Sequence, residues 1–195
     1  MKTKQLLITI CLITASVISQ AQTTGTFTDP RDGQVYKTIS IEDDLKGTSV
    51  TWMAQNLNYM VDGAFPYNKD ESYRKNLGLL YTFERAKRAC PAGWHIPSKA
   101  EFENLLKLYS VDALRSTKGW MKRGGTNSSG FNAYPAGYAV EENSTNIGGW
   151  AEFWIMTDSY LPEYLSLADT ESYSVASFDQ DKYSCSMSVR CIKNN

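Results

Sequence analysis

The residues of this chain with chemical potential are few. The one histidine is His95, within Trp94-His95-Ile96-Pro97. A hydrolase would need it beside an activated serine or cysteine, with an acid to orient the ring. No G-x-S-x-G turn accompanies it, so His95 reads as a residue packed at a turn and bonding backbone. Zinc is disfavoured by a single imidazole, because the cysteines are needed for a disulfide. Calcium needs converging oxygen ligands, and Glu141, Glu142, Asn143 and Asp158 are the side chains that offer them. The plainer reading of those four is a solvated acidic loop. No carboxylate pair for glycoside hydrolysis can be singled out among the 21 acidic residues. The expectation is therefore no catalytic residue, no resident metal and no cofactor, with calcium the one ion the acids could hold.

The cysteines speak to compartment. Lys2 and Lys4 precede an apolar run over residues 6–18, and Ser19-Gln20-Ala21 follows with small residues at alternate positions. This is the pattern of a cleaved secretory signal over residues 1–21, shorter than the roughly 20 apolar residues of a bilayer span. Cys11 lies inside the run behind Thr9 and Ile10 rather than small residues, so a lipid anchor there is not expected. The mature chain is then secreted, periplasmic or held at the cell surface, with no transmembrane anchor. Cys90, Cys185 and Cys191 remain after cleavage. An oxidising compartment favours one disulfide and one thiol left over. Cys185 with Cys191 would bridge a strand or hairpin. Cys90 with Cys191 would close a loop of about 100 residues, a constraint of about 4–5 kcal/mol in the chain-entropy account.

Charge and aromatic content point to recognition. Twenty basic residues face 21 acidic ones, for a net charge of -1; nucleic-acid binders instead carry a basic stripe. Aromatics make up 12% of the chain and offer large, rigid contact area at low entropic cost. Trp120, Tyr134, Tyr138, Trp150, Trp154 and Tyr160 lie in or beside the long-loop region. Trp150 and Trp154 share a parity on one strand, which predicts a common buried face. Trp120 and Tyr160, beside loop signals, are the rings expected at the surface. The binding set is thus Trp120, Asn127, Glu141, Glu142, Asn143, Asp158 and Tyr160.

These residues need elements to hold them. Residues 22–33 are polar, carry Asp29-Pro30 and Asp32-Gly33, and read as a lead-in with a turn. Residues 34–41 alternate, with Val35, Lys37, Ile39 and Ile41 on one side, and residues 50–57 form a second strand; a loop over residues 42–47 makes them a β-hairpin. Residues 59–76 read as a long loop, broken by Asp62-Gly63 and Pro66. A helix is expected over residues 80–90, stopped by Pro91 and Gly93. A second opens at Ser98 with Glu101 at its third position, the spacing of a capping box. A helical turn over residues 111–116, a Gly- and Ser-rich loop over residues 119–130, and extended runs at 131–139, 150–157, 161–167, 173–178 and 186–192 complete the chain. Hairpin, two adjacent helices and then several short antiparallel strands with long loops define an α+β domain over residues 34–195.

Several blocks resemble the Fibrobacter succinogenes major paralogous domain family. They are Asp32-Gly33-Gln34-Val35-Tyr36-Lys37-Thr38; Thr51-Trp52-Met53-Ala54-Gln55-Asn56-Leu57-Asn58-Tyr59; Cys90-Pro91-Ala92-Gly93-Trp94-His95-Ile96-Pro97-Ser98; Gly130-Phe131-Asn132-Ala133-Tyr134-Pro135-Ala136-Gly137-Tyr138; and Ser188-Val189-Arg190-Cys191-Ile192-Lys193. They stand in the family's order. The resemblance implies an exported bacterial protein of C-type-lectin-like layout, a fold similar to that of formylglycine-generating enzymes. It also implies a Cys90–Cys191 disulfide, with Cys185 outside the shared pattern. Trp154-Ile155-Met156-Thr157 departs from the family's Trp-Ser-Ser-Thr. The Glu-Pro-Asn-like and Trp-Asn-Asp-like calcium motifs of sugar-binding lectins do not occur. A formylglycine-enzyme-like oxidase would need two free thiols, and that pairing leaves only Cys185. The expected role is an exported, non-catalytic binding or adhesion module for a glycan or surface protein, with a structural subunit of a surface assembly as the alternative.

Overall fold

The computed structural model describes residues 23–43, 47–178 and 185–194. The expected signal segment, its cleavage site and Cys11 lie outside them, as do three residues of the 42–47 loop. The chain opens with β1 (Thr24–Thr28), β2 (Val35–Asp43) and β3 (Thr48–Met53). A 3-10 turn at Tyr67–Lys69 leads into α1 (Glu71–Leu77), followed by β4 (Tyr81–Thr82), α2 (Phe83–Ala86) and β5 (Trp94–His95). Next come α3 (Lys99–Leu108), α4 (Val111–Leu114), β6 (Tyr138–Val140) and β7 (Asn143–Thr145). The last described strands are β8 (Trp150–Ile155), β9 (Glu163–Ala168), β10 (Tyr173–Ser177), β11 (Cys185–Met187) and β12 (Ile192–Lys193). Among the described residues, no helix is long and apolar enough to cross a membrane.

Three antiparallel sheets result, ordered β1-β2-β3-β12-β5, β10-β9-β8 and β4-β11-β6-β7. Mixed short helices and antiparallel sheets make the fold α+β, and the β2–β3 hairpin stands where the alternation placed it. Two apolar clusters fill the spaces between the layers. One joins Ile39, Ile41 and Trp52 to Phe102, Phe131, Phe153 and Leu165. The other joins Tyr36 and Met53 to Trp94, Trp154, Met187 and Cys191. β2 contributes to both: Ile39 and Ile41 face the first, whereas Tyr36 of the opposite parity enters the second. Val35 and Lys37 consequently lie exposed although they share the parity of the buried isoleucines.

The departures from expectation have physical causes. The lead-in is not a mere tether: Thr24–Thr28 pairs with β2 from Thr24↔Ile39 to Thr28↔Val35. Its threonines suit a pleated strand, and Phe27 packs on Trp94 with ring centroids 4.8 Å apart. The helix expected over residues 80–90 shrinks to the single turn of α2, because Tyr81 and Thr82 pair instead with Met187 and Ser186 of β11. Within the segment read as loop, α1 forms because Asp70 caps it, accepting from the Ser72 amide at 2.8 Å. The extended run at 186–192 divides between β11 and β12, which belong to different sheets. α3 is where the capping box placed it, with both reciprocal bonds between Ser98 and Glu101 present.

Candidate functional site

Cys90 and Cys191 are joined, with Cα atoms 5.9 Å apart across 101 residues of sequence. Cys185 is free and buried, and burial pushes its thiol up to about 12, a condition that suppresses the reactive thiolate. Beside the disulfide, His95 bonds two side chains. Its Nδ1 lies 2.6 Å from Asn194 Oδ1 and its Nε2 3.2 Å from Glu101 Oε1. Glu101 also accepts from the Ser98 amide at 2.8 Å and from Ser98 Oγ at 2.9 Å. Burial would raise this carboxyl, but the bonds from His95 and Ser98 outweigh it and hold it at about 2. Ser98, Glu101 and His95 are therefore locked together as a helix cap, with the serine proton directed to the carboxylate and not to the imidazole.

The expected binding residues do not converge. Trp120 is only 8% exposed. Its indole N–H donates to Ser116 Oγ at 3.1 Å, and the Arg115 guanidinium stacks 4.8 Å from its ring. A buried partner, invisible in a Gly-rich sequence context, draws this ring inward. Asn127 is a turn former, with φ 52° and its Oδ1 accepting from the Asn132 amide at 2.8 Å. Glu141 and Glu142 are the two turn residues between β6 and β7, both with positive φ. Asn143 donates to the Glu141 carbonyl at 3.3 Å, and Glu142 is ion-paired to Lys69. These three line one open cleft of about 420 Å³ together with Asn68, Lys69 and Ser144. Asp158 and Tyr160 lie on the loop between β8 and β9 and do not line that cleft; Tyr160 is 91% exposed. Among the described residues, no three His, Cys, Asp or Glu side chains gather in a way that could hold a metal ion.

The parity argument for a common buried face fails at Trp150. Trp154 is fully buried and donates its indole N–H to the Tyr81 carbonyl at 2.6 Å, whereas Trp150 is 41% exposed. Trp150 starts β8 opposite Ala168, next to the turn that joins β9 to β10, and it lines a cleft of about 240 Å³. Ser166, Asp169, Thr170, Ser172 and Ser174 line the same cleft. Thr170 Oγ1 lies 3.0 Å from Ser172 Oγ, and Asp169 pairs with Lys122 at 3.7 Å. Met121, the neighbour of Lys122, is exposed and bonds through its amide to the Gly148 carbonyl, two residues before Trp150. Beneath the cleft, Ser166 Oγ donates to Glu152 Oε1 at 3.4 Å. Burial pushes the Glu152 carboxyl up to about 7, although the bond from Ser166 lowers it.

An indole face thus lies beside hydroxyls, with a carboxylate at the rim and a buried acid below. The whole is a disulfide-closed α+β domain. Over residues 45–193 it matches the Fibrobacter succinogenes major domain, and the chain belongs to that family. No curated protein and no solved structure matches it.

The motif blocks map onto scaffold. Arg190 is fully buried and donates to the Met53 and Phe131 carbonyls, to Asn56 Oδ1 at 2.8 Å and to the Asn132 carbonyl at 3.3 Å. Its guanidinium stands 4.3 Å from the Phe131 ring. Asn56 also donates to the Leu77 carbonyl at 2.8 Å. One buried cation thus ties three of the five motif blocks together. The cleft residues fall between blocks, where the only sequence signal is a tryptophan followed two residues later by a glutamate.

Proposed function

We propose that this chain is an exported, non-catalytic binding module of C-type-lectin-like layout, and that its ligand is a glycan seated in the Trp150 cleft. The observation that carries the reading is the half-exposed Trp150 indole at the rim of a cleft lined by five hydroxyl side chains, Tyr173 among them, and Asp169. A pyranose ring has a flat C–H face that packs on an indole, and hydroxyls at its edge that exchange hydrogen bonds with serines and carboxylates. The cleft volume of about 240 Å³ suits one sugar residue of a longer chain. Export is supported by the Cys90–Cys191 bond, since such disulfides persist in oxidising compartments. No cofactor is invoked.

A glycan array probed with the full chain and with Trp150→Ala tests the reading. Retention of one or more glycans by the wild type, lost in the variant and unaffected by a chelator, is the expected result. Equal retention by both proteins, or retention of none, overturns it. Capture of a surface protein through the same residue would move the ligand class from sugar to protein.

A further inference from the structure

Glu152 is 2% exposed, and its Oε2 has no hydrogen-bond partner among the described residues. Among the described residues, the titratable groups placed around it are Tyr138 on β6, Tyr164 on β9 and Cys185 on β11; burial raises all three, and none is a cation. An acid held this way carries a large desolvation penalty when ionised. A position with a purely structural role would be better filled by an apolar or amide side chain. Its single bond runs to Ser166, its cross-strand partner in the β8–β9 register, and Ser166 lines the Trp150 cleft.

We infer that Glu152 is a positioning residue for that cleft: acting through the Ser166 hydroxyl, it sets whether the floor offers a ligand an acceptor or a donor, and so discriminates neutral from acidic sugars. The inference rests on the cleft being the glycan site. With Glu152 ionised, the Ser166 proton is turned inward to the carboxylate and its oxygen remains as acceptor. The negative charge then lies one hydroxyl below the ligand, in surroundings of low dielectric, and repels a uronate. On acidification Glu152 takes a proton from solvent. Its own O–H then donates to Ser166 Oγ, the serine proton is released to donate into the cleft, and the repulsion is gone. Asp169 at the rim is already paired with Lys122.

The test uses the full chain and two probes, a glucose oligosaccharide and one of the same length ending in glucuronate. Titration calorimetry is expected to show the acidic probe weakening about fivefold from about pH 6 to about pH 8, the change that a one-unit displacement of Glu152 on binding produces over that range. The neutral probe holds its affinity, and in Glu152→Gln the acidic probe loses its pH dependence. An independent readout needs no ligand: carboxyl carbon-13 NMR of Glu152 in the free protein. Its midpoint is expected near neutrality, displaced upward in Ser166→Ala, which removes the donor. A midpoint in the ordinary carboxylate range, no displacement in Ser166→Ala, or a wild-type pH profile in Glu152→Gln each overturns the inference. Failure of both probes at every pH overturns the glycan reading and the ligand half of this inference, whereas the NMR pair decides the Glu152–Ser166 coupling by itself.

Discussion

Two glutamates mark opposite kinds of region in this molecule. Glu101 sits at the start of α3 beside the disulfide, surrounded by donors, and its carboxyl is held at about 2. Glu152 sits on β8 under the Trp150 cleft, with one long hydrogen bond, and its carboxyl is pushed to about 7. Both are largely withdrawn from solvent, so burial alone does not separate them. The supply of partners does. Glu101 is met by His95 and Ser98, whereas Glu152 Oε2 is left short, as are the buried Nε atoms of Arg115 and Arg190.

Four substitutions probe that contrast, in falling order of their effect on stability. Replacing Cys90 and Cys191 together with alanine removes a constraint spanning 101 residues. A loss of about 4–5 kcal/mol is expected from urea unfolding; a loss under about 1 kcal/mol would mean that this end is not the anchor. Glu152→Gln is expected to stabilise by about 1–2 kcal/mol above neutrality. The native carboxyl holds its proton above the unfolded value of 4.5, so the wild type loses stability as pH rises from there through about 7. The gain of the variant should therefore vanish in acid, and a gain that ignores pH would refute the assignment.

Glu101→Ala has the opposite sign and is expected to cost about 1 kcal/mol at neutral pH, the worth of a capping interaction. Because the folded value is depressed, that contribution is full above 4.5 and is lost as pH falls through about 2. Thermal unfolding of variant and wild type should therefore converge in strong acid. Trp150→Ala should change stability by less than about 0.5 kcal/mol, as an exposed position does, while removing ligand retention. A large destabilisation would place Trp150 in the core rather than the site.

The scaffold was far more legible in the sequence than the cleft. α3 could be read because Ser98 and Glu101 cap it over four residues of local chain. The helix expected at residues 80–90 failed because Tyr81 and Thr82 pair with a strand about a hundred residues later, a contact that periodicity does not encode. The Cys90–Cys191 pairing came from the resemblance, since spacing allowed Cys185 as readily. The Trp150 cleft went unread for two reasons. Alternation assigns Trp150 and Trp154 to one face, yet Trp154 lies against Phe83 and the Tyr81 carbonyl while Trp150 stands at the free end of β8. The same alternation sets Glu152 between them on that face, where a carboxylate is not expected to be buried. It is buried because β8 is covered on both faces, with Ala151, Phe153 and Ile155 in one apolar cluster and Trp154 in the other.

The position of β12 has a consequence for how the molecule comes into being. Ile192 and Lys193 fill the slot between β3 and β5, with Ile192 pairing to Trp52 on one side and His95 on the other. Until those residues have been made, the main sheet stays split into two pieces. A growing chain therefore cannot settle this domain half by half. The main sheet remains unfinished until β12 is available.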